Sequence, residues 1–146
     1  MSKIKRNFTI FGLFVVLATV ATADFAGDGL QPSGVDDTAT IKAAIDDAGT
    51  GGTVALGEGV FLITEELTIG NGITLEGRGF EKTVIKQTAT ARVITLDGRA
   101  KIEGVTLTGG SVSGNGAKGA GVLVKNGTIS WCCISNNTAT AYNCNG

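Results

Sequence analysis

Three carboxylates are the side chains of this sequence best suited to chemistry: Glu76, Asp97 and Glu103. Basic residues stand near them at Arg78, Arg92, Arg99 and Lys101. Glycoside hydrolysis needs two carboxyl groups facing one cleft, one to protonate the leaving oxygen and one to activate water. A polysaccharide lyase instead needs a base that takes a proton from the ring and cations that stabilise the developing charge. Either chemistry depends on which of these residues share a face.

Three similar stretches predict the faces: GITLEGR (residues 72–78), GVTLTGG (104–110) and WCCISNN (131–137). Each alternates apolar and polar residues and then ends in a turn, and alternate side chains of a strand leave its opposite faces. Aligning the three stretches predicts two inward columns, the first of Ile73, Val105 and Cys132 and the second of Leu75, Leu107 and Ile134.

The same alignment keeps the acids apart. Glu76 shares its outward column with Thr108 and Ser135, whereas Glu103 shares a column with Ser130. No column collects two acids, and solvation at the edge of a coil explains their charge. We therefore expect no catalytic residue in this chain, with Glu76, Asp97 and Glu103 as the only candidates.

A second match, of VITLDG (93–98) with VLVKNG (122–127), has nearly the same spacing as the two later stretches above. Nine short, β-branched strands separated by Gly, Asn or Asp turns occupy residues 53–135. At three strands a turn they predict an all-β solenoid of about three stacked parallel coils. The alternative is a small antiparallel β-sandwich, but hairpins do not need like residues to recur at the length of a coil.

One helix precedes the strands, in the stretch DDTATIKAAIDDAG (36–49). Asp36 or Asp37 can cap its first backbone amides, and glycine ends it. Its apolar residues recur at intervals of three and four, at Ile41, Ala44, Ile45 and Ala48, which predicts one buried face.

The first 23 residues have the layout of a secretory signal peptide. Three basic residues are followed by an uncharged, mostly apolar run over residues 8–20 and by the small residues Ala21 and Ala23. A retained membrane anchor is the alternative, but thirteen residues are fewer than the roughly 20 that a helix needs to cross a bilayer. We expect a secreted or cell-surface protein with no transmembrane span after cleavage, and one domain over residues 24–146.

The composition of residues 24–146 excludes several partners and cofactors. Once the three basic residues of the signal are set aside, nine basic and thirteen acidic side chains remain, so nothing favours nucleic acid. The chain has no histidine, and its three cysteines, Cys132, Cys133 and Cys144, lack the further ligands of a zinc site. We expect no metal and no other cofactor. Export permits one disulfide, and outward Cys133 is the cysteine able to reach Cys144.

The stretches FAGDG (25–29) and DDTATIKAAIDDAGTGGTVALGEGVFLI (36–63) resemble the opening of the pectate-lyase superfamily of right-handed parallel β-helices. The resemblance implies a right-handed fold, with a cap at residues 24–50 whose helix covers the first of the coils at 51–146. Two features depart from the pattern: Gly57-Glu58-Gly59 stands where prolines are usual, and Phe61 replaces a tyrosine.

The later stretch GNGAKGAGVLVKNGTISWCCISNNTA (114–139) resembles the glycine-rich repeats of surface β-helix proteins of the polymorphic outer-membrane type. Together the resemblances imply either a carbohydrate-associated protein that binds polysaccharide or a surface adhesin or structural repeat protein. The fold alone does not choose between them, because it hosts lyases, hydrolases and adhesins.

Three expectations concern the later part of the chain. Residues 109–121 form a flexible excursion from the coil. Trp131 points outward, where it is either a platform for sugar stacking or packed beneath that excursion. The last ladder, of Val122, Val124, Cys132 and Ile134, faces water, because the turn-rich end TATAYNCNG (138–146) supplies no cover. We therefore expect a truncated β-helix, or one that another chain completes through the exposed C-terminal coil.

Overall fold

The computed structural model describes residues 29–142, which form a parallel β-helix of about three turns with one short helix near the N-terminal end. This architecture confirms the predicted fold class. The predicted signal peptide, residues 1–23, and Cys144 lie outside the described residues.

Helix α1 spans Thr38–Ala48 and ends at Gly49, in agreement with the helix predicted in the stretch 36–49. Asp36 supplies the cap, because its Oδ1 accepts the backbone N–H of Thr38 at 3.0 Å. The prediction for Asp37 is corrected: its buried carboxylate makes no cap hydrogen bond and instead accepts the N–H groups of Ser33 and Leu62, at 2.8 and 3.2 Å. Asp37 therefore ties the start of the helix to the first coil.

The apolar face of α1 closes the N-terminal end of the solenoid. Ile41, Ala44 and Ile45 are buried, and Ala48 is partly buried against the same core. The helix packs on strands β1 (Thr53–Ala55) and β3 (Leu67–Ile69) of the first coil. The predicted covering role of the helix is thus confirmed.

Within the described residues, thirteen strands follow the helix where the sequence predicts nine. Besides β1 and β3 they are β2 (Gly59–Ile63), β4 (Thr74–Glu76), β5 (Thr83–Gln87), β6 (Ile94–Leu96), β7 (Ala100–Glu103), β8 (Thr106–Thr108), β9 (Ser111–Asn115), β10 (Val122–Val124), β11 (Gly127–Ser130), β12 (Cys133–Ser135) and β13 (Thr138–Tyr142). Two predicted strands are each divided, at Gly104 and at Trp131, where φ is 67° and 53°. A positive φ turns the chain through a corner, so one apolar run supplies strands to two sheets.

The strands stack into sheets that are parallel throughout. The first sheet has the order β1-β4-β7-β11, the second β2-β5-β8-β12 and the third β3-β6-β10, while β9 pairs with β13. Each coil contributes one strand to a sheet, so inward residues form ladders. Val54, Leu75 and Ile102 make such a ladder in the first sheet and are fully buried.

The pairing confirms the predicted alignment of 104–110 with 131–137 and corrects the rest of the predicted register. Leu107 pairs with Ile134, as predicted. Leu75 does not share their column, since it pairs with Ile102 in the first sheet, whereas Leu107 pairs with Ile85 in the second. The stretches 72–78 and 104–110 look alike because strands of both sheets have the same alternation, and alternation does not identify the sheet.

The predicted match of 93–98 with 122–127 is wrong by one position. Val122 pairs with Ile94 rather than with Val93. The turn between β10 and β11 holds two residues, whereas the turn between β6 and β7 holds three. Aligning the two turns on their Asp-Gly and Asn-Gly pairs hides this difference.

Two predictions about the later part of the chain are wrong for one reason. Part of the predicted excursion at 109–121 and part of the predicted turn-rich end are strands that pair with each other. Residues 111–115 form β9, which pairs along its whole length with β13 at 138–142. The rest of the excursion is held by Arg92, whose Nε donates to the Gly119 carbonyl at 2.9 Å and whose Nη2 donates to that of Lys118 at 3.1 Å. The same guanidinium pairs with Glu66 at 3.0 Å. Arg92 therefore has a structural role.

Candidate functional site

The first sheet brings two of the candidate acids together. Glu76 of β4 lies directly opposite Glu103 of β7, and the column continues to Ser130 of β11. Adjacent strands lie about 4.8 Å apart, so the carboxylates are immediate neighbours on the outer face. The prediction that no column collects two acids is wrong, because it placed 72–78 in the same sheet as 104–110.

The sequence did contain a signal for this pair. Leu75-Glu76-Gly77 and Ile102-Glu103-Gly104 repeat the pattern apolar-Glu-Gly. These two tripeptides are separated along the sequence by the same number of residues as the paired positions of β4 and β7. The stretches 104–110 and 131–137 are separated by this same number. Aligning 72–78 with 104–110, which is the longer match, uses a different offset and therefore misses this pair of acids.

Glu103 is held as a carboxylate. Its Oε2 forms an ion pair with Lys101 Nζ at 2.5 Å and accepts a hydrogen bond from Ser130 Oγ at 3.2 Å. The hydrogen bond from Lys101 lowers the pKa of Glu103, and the bond from Ser130 acts in the same direction. A group with a lowered pKa does not supply the proton that a leaving glycosidic oxygen needs. Glu103 is therefore unsuited to the part of the protonated acid in hydrolysis.

Asp97 lies apart from the pair. It stands in the turn after β6 and is exposed, and its Oδ1 accepts the backbone N–H of Gly98 at 2.7 Å. It stabilises a turn at a different corner of the coil. The structure thus joins Glu76 with Glu103 and leaves out Asp97.

The corner that follows the first sheet carries the remaining candidate. We call it the Trp131 corner and define it by residues 77–82, 104–105 and 131–132, which follow β4, β7 and β11 in successive coils. The longest of these segments, 77–82, leans over the next coil: Gly79 N–H donates to the Gly104 carbonyl at 2.9 Å, and Thr106 Oγ1 donates to the Phe80 carbonyl at 2.6 Å.

Gly104 makes this close approach feasible. Its φ is 67°, and a Cβ atom there would lie 2.9 Å from the carbonyl oxygen of Gly77. The segment 77–82 surrounds a shallow cleft of about 260 Å³. Phe80, whose role the sequence did not predict, lines this cleft and is 43% exposed.

Trp131 occupies the position of Gly104 one coil later, since Glu103 pairs with Ser130 and Thr106 with Cys133. The Trp131 side chain is 82% exposed, which confirms that it points outward. The expectation that it packs beneath 109–121 is wrong, because that segment pairs as β9 with β13. Its φ of 53° is a left-handed conformation, which costs a bulky residue about 1–3 kcal/mol. A large aromatic side chain is thus held in water by a strained backbone.

The two described cysteines take different positions. Cys132 is partly buried against the core, and its thiol donates to the Ser130 carbonyl at 3.2 Å. Burial raises the pKa of the Cys132 thiol, so it stays protonated at neutral pH. Cys133 lies opposite Thr106 in the outward register. Its disulfide with Cys144 stays a prediction.

A second groove, of about 470 Å³, runs along the turns after the third sheet. Thr50, Gly51, Asn71, Gly72, Gly98 and Arg99 line it. This lining holds neither a carboxylate nor an aromatic ring, so the Trp131 corner is the better candidate. Between residues 29 and 142, no three Cys, Asp or Glu side chains cluster closely enough to hold a metal ion. The same part of the chain contains no helix long and apolar enough to cross a membrane.

No family model, curated protein or solved structure matches this chain. The class that the fold defines is a parallel β-helix, with a pair of neighbouring carboxylates and an exposed tryptophan on one corner. Membership of the pectate-lyase superfamily stays a prediction from the sequence.

Proposed function

We propose that this chain is a β-helix module of an exported protein and that it binds polysaccharide without cleaving it. The observation that carries the proposal is Trp131, 82% exposed in a left-handed backbone conformation. Strain of this kind persists at sites where it contributes to function. Because the Trp131 side chain is mostly exposed, its burial stabilises the fold too little to offset this strain. A flat apolar ring at the surface is what the C–H face of a sugar packs against, as in other apolar contacts of aromatic rings.

Polar side chains on the neighbouring sheet face add to the argument. Thr74, Lys101 and Thr128 form one outward column of the first sheet, and Glu76, Glu103 and Ser130 form the next. Hydroxyl, ammonium and carboxylate groups supply both donors and acceptors for sugar hydroxyls. Because the paired strands set the spacing of these groups before a ligand arrives, less entropy is lost on binding.

The state of Glu103, which Lys101 and Ser130 hold as a carboxylate, supports the proposal that the chain does not cleave polysaccharide. Hydrolysis with two carboxyl groups needs one of them protonated, whereas Lys101 and Ser130 lower the pKa of Glu103. Export is supported by the layout of residues 1–23, and a secreted or cell-surface location follows from export. The likeness of residues 25–63 to the pectate-lyase superfamily supports placing the chain among those β-helices.

Affinity electrophoresis in gels that contain soluble glycans tests the proposal. We expect glycan to slow the mature chain, Trp131→Ala to abolish the retardation, and Tyr142→Ala to leave it unchanged. Tyr142 is a matched control, since it is an exposed aromatic residue at the end of β13. Retardation by no glycan at all, or equal retardation of Trp131→Ala, would refute binding at this corner. The appearance of new reducing ends or unsaturated sugars, lost on changing Glu76 or Glu103, would refute the absence of cleavage.

One observation favours a second candidate function, a structural or adhesive surface repeat. The inward residues Val124 and Ile134 of the last strands are 43% and 44% exposed. Another coil, or another chain, would cover them through the open strand edges of β10 to β13. Sedimentation velocity over a range of concentrations tests this candidate: concentration-dependent association that Ile134→Asp removes would support it, and a monomer at every concentration would contradict it.

A further inference from the structure

We infer that the Trp131 corner selects neutral glycans over polyuronates, an inference that rests on the proposed function. It comes from the sign and the pairing of the charges around Trp131. Glu103 lies beside Gly104, whose position Trp131 takes one coil later, and Glu76 lies next to Glu103. Any glycan that crosses from Trp131 onto the first sheet meets this pair of acids.

Two cations at or beside this corner form ion pairs. Lys101 pairs with Glu103 at 2.5 Å, and Lys82 pairs with Glu58 at 2.7 Å. Arg78 and Glu81 on the segment 77–82 balance each other in charge. Counted over these six groups and Glu76, the corner and the residues beside it together carry one more negative than positive charge. A uronate carboxylate is recognised by a free arginine, which donates two parallel hydrogen bonds, or by a free lysine, which supplies one positive charge. A polyuronate would instead bring a row of negative charges against Glu76.

A neutral sugar meets no such repulsion. Its hydroxyl groups donate hydrogen bonds to the carboxylates, which are stronger than bonds between neutral partners. Its C–H face packs on the aromatic surface of Trp131. Phe80 is also exposed, on the coil that precedes Gly104, whereas Trp131 lies on the coil that follows Gly104. The same carboxylates therefore attract a neutral chain and exclude an acidic one.

The test compares matched glycans at low salt, where charge effects are largest. Soluble β-glucan, xyloglucan and dextran are the neutral probes, and polygalacturonate and alginate are the acidic ones. We expect at least one neutral glycan to bind ten-fold or more tightly than either polyuronate. We expect Glu76→Gln to weaken the neutral complex several-fold and to strengthen retention by polyuronate. Asp97→Asn is the control, since it removes one carboxylate at a different corner, and it should change neither.

The outcomes separate the two proposals. Tighter binding to polyuronate than to every neutral glycan, still dependent on Trp131, would overturn the inference and leave the proposed function standing. Equal effects of Glu76→Gln and Asp97→Asn on polyuronate retention would also overturn it, because they would reflect net charge alone. Binding to none of the five glycans would overturn both.

Discussion

The two ends of the solenoid are built from the same ladders but end differently. At the N-terminal end α1 covers the first coil, and Val54, Phe61 and Leu67 are completely buried. At the other end Ile134 continues the ladder of Phe61, Ile85 and Leu107, yet it is 44% exposed. Each coil of a solenoid is buried by the coil above it, so an inward residue is protected only when something follows it. Inward orientation and burial are therefore separate properties.

The largest expected effect is at the covered end. Ile45→Asp would place an unpaired carboxylate between α1 and the first coil, and we expect a loss of several kcal/mol or failure to fold. Urea unfolding followed by circular dichroism measures it. Ala43→Asp on the exposed side of the same helix is the control and should cost far less. An Ile45→Asp chain that melts like the wild type would mean that the helix does not cover the core.

The next experiment compares two positions of one ladder. Leu107→Ala removes a fully buried side chain, and we expect it to lower the free energy of unfolding by about 2–5 kcal/mol. Ile134→Ala in the next coil removes a half-exposed one, and we expect about 1 kcal/mol or less, because part of its surface is already in water. Equal losses at the two positions would show that the last coil is covered in solution.

Trp131→Asn is expected to stabilise the chain. Asparagine tolerates a left-handed conformation better than a bulky residue does, so relief of strain should raise the free energy of unfolding by about 1 kcal/mol. Glycan binding should be lost in the same variant. A gain in stability with loss of binding separates a functional tryptophan from a structural one. If Trp131→Asn destabilises the chain, Trp131 contributes to packing instead.

The smallest expected effect is the response of the covered end to acid. Hydrogen bonds from the Thr38 side chain and backbone, with one from Thr64, lower the pKa of Asp36 below its ordinary 3.8. The unfolded chain thus binds this proton more readily, so the contribution of Asp36 is complete above pH 3.8 and is lost as the pH falls through the lower pKa of the folded chain. Urea midpoints between pH 6 and pH 2 should fall less steeply for Asp36→Asn. Parallel curves for the two proteins would contradict this assignment.

Local features of this protein could be predicted from the sequence. Helix α1, its buried face and its acidic cap could be predicted because caps and the spacing of apolar residues act within a few turns of one element. The solenoid and the repeat that relates 104–110 to 131–137 could be predicted because stacked coils place like residues above one another. The outward direction of Trp131 and the inward direction of Ile134 could be predicted because alternate side chains of a strand leave its opposite faces.

Which strands pair with each other could not be predicted in the same way. A strand's alternation is the same in every sheet, so it could not show that Leu75 pairs with Ile102 rather than sharing a column with Leu107. That choice depends on the number of residues at each corner, six at 77–82 but only two at 104–105. The pairing of Glu76 with Glu103 and the placement of Phe80 over the coil of Thr106 follow from these corner lengths. The candidate site therefore arises from contacts between coils, which no single repeat specifies.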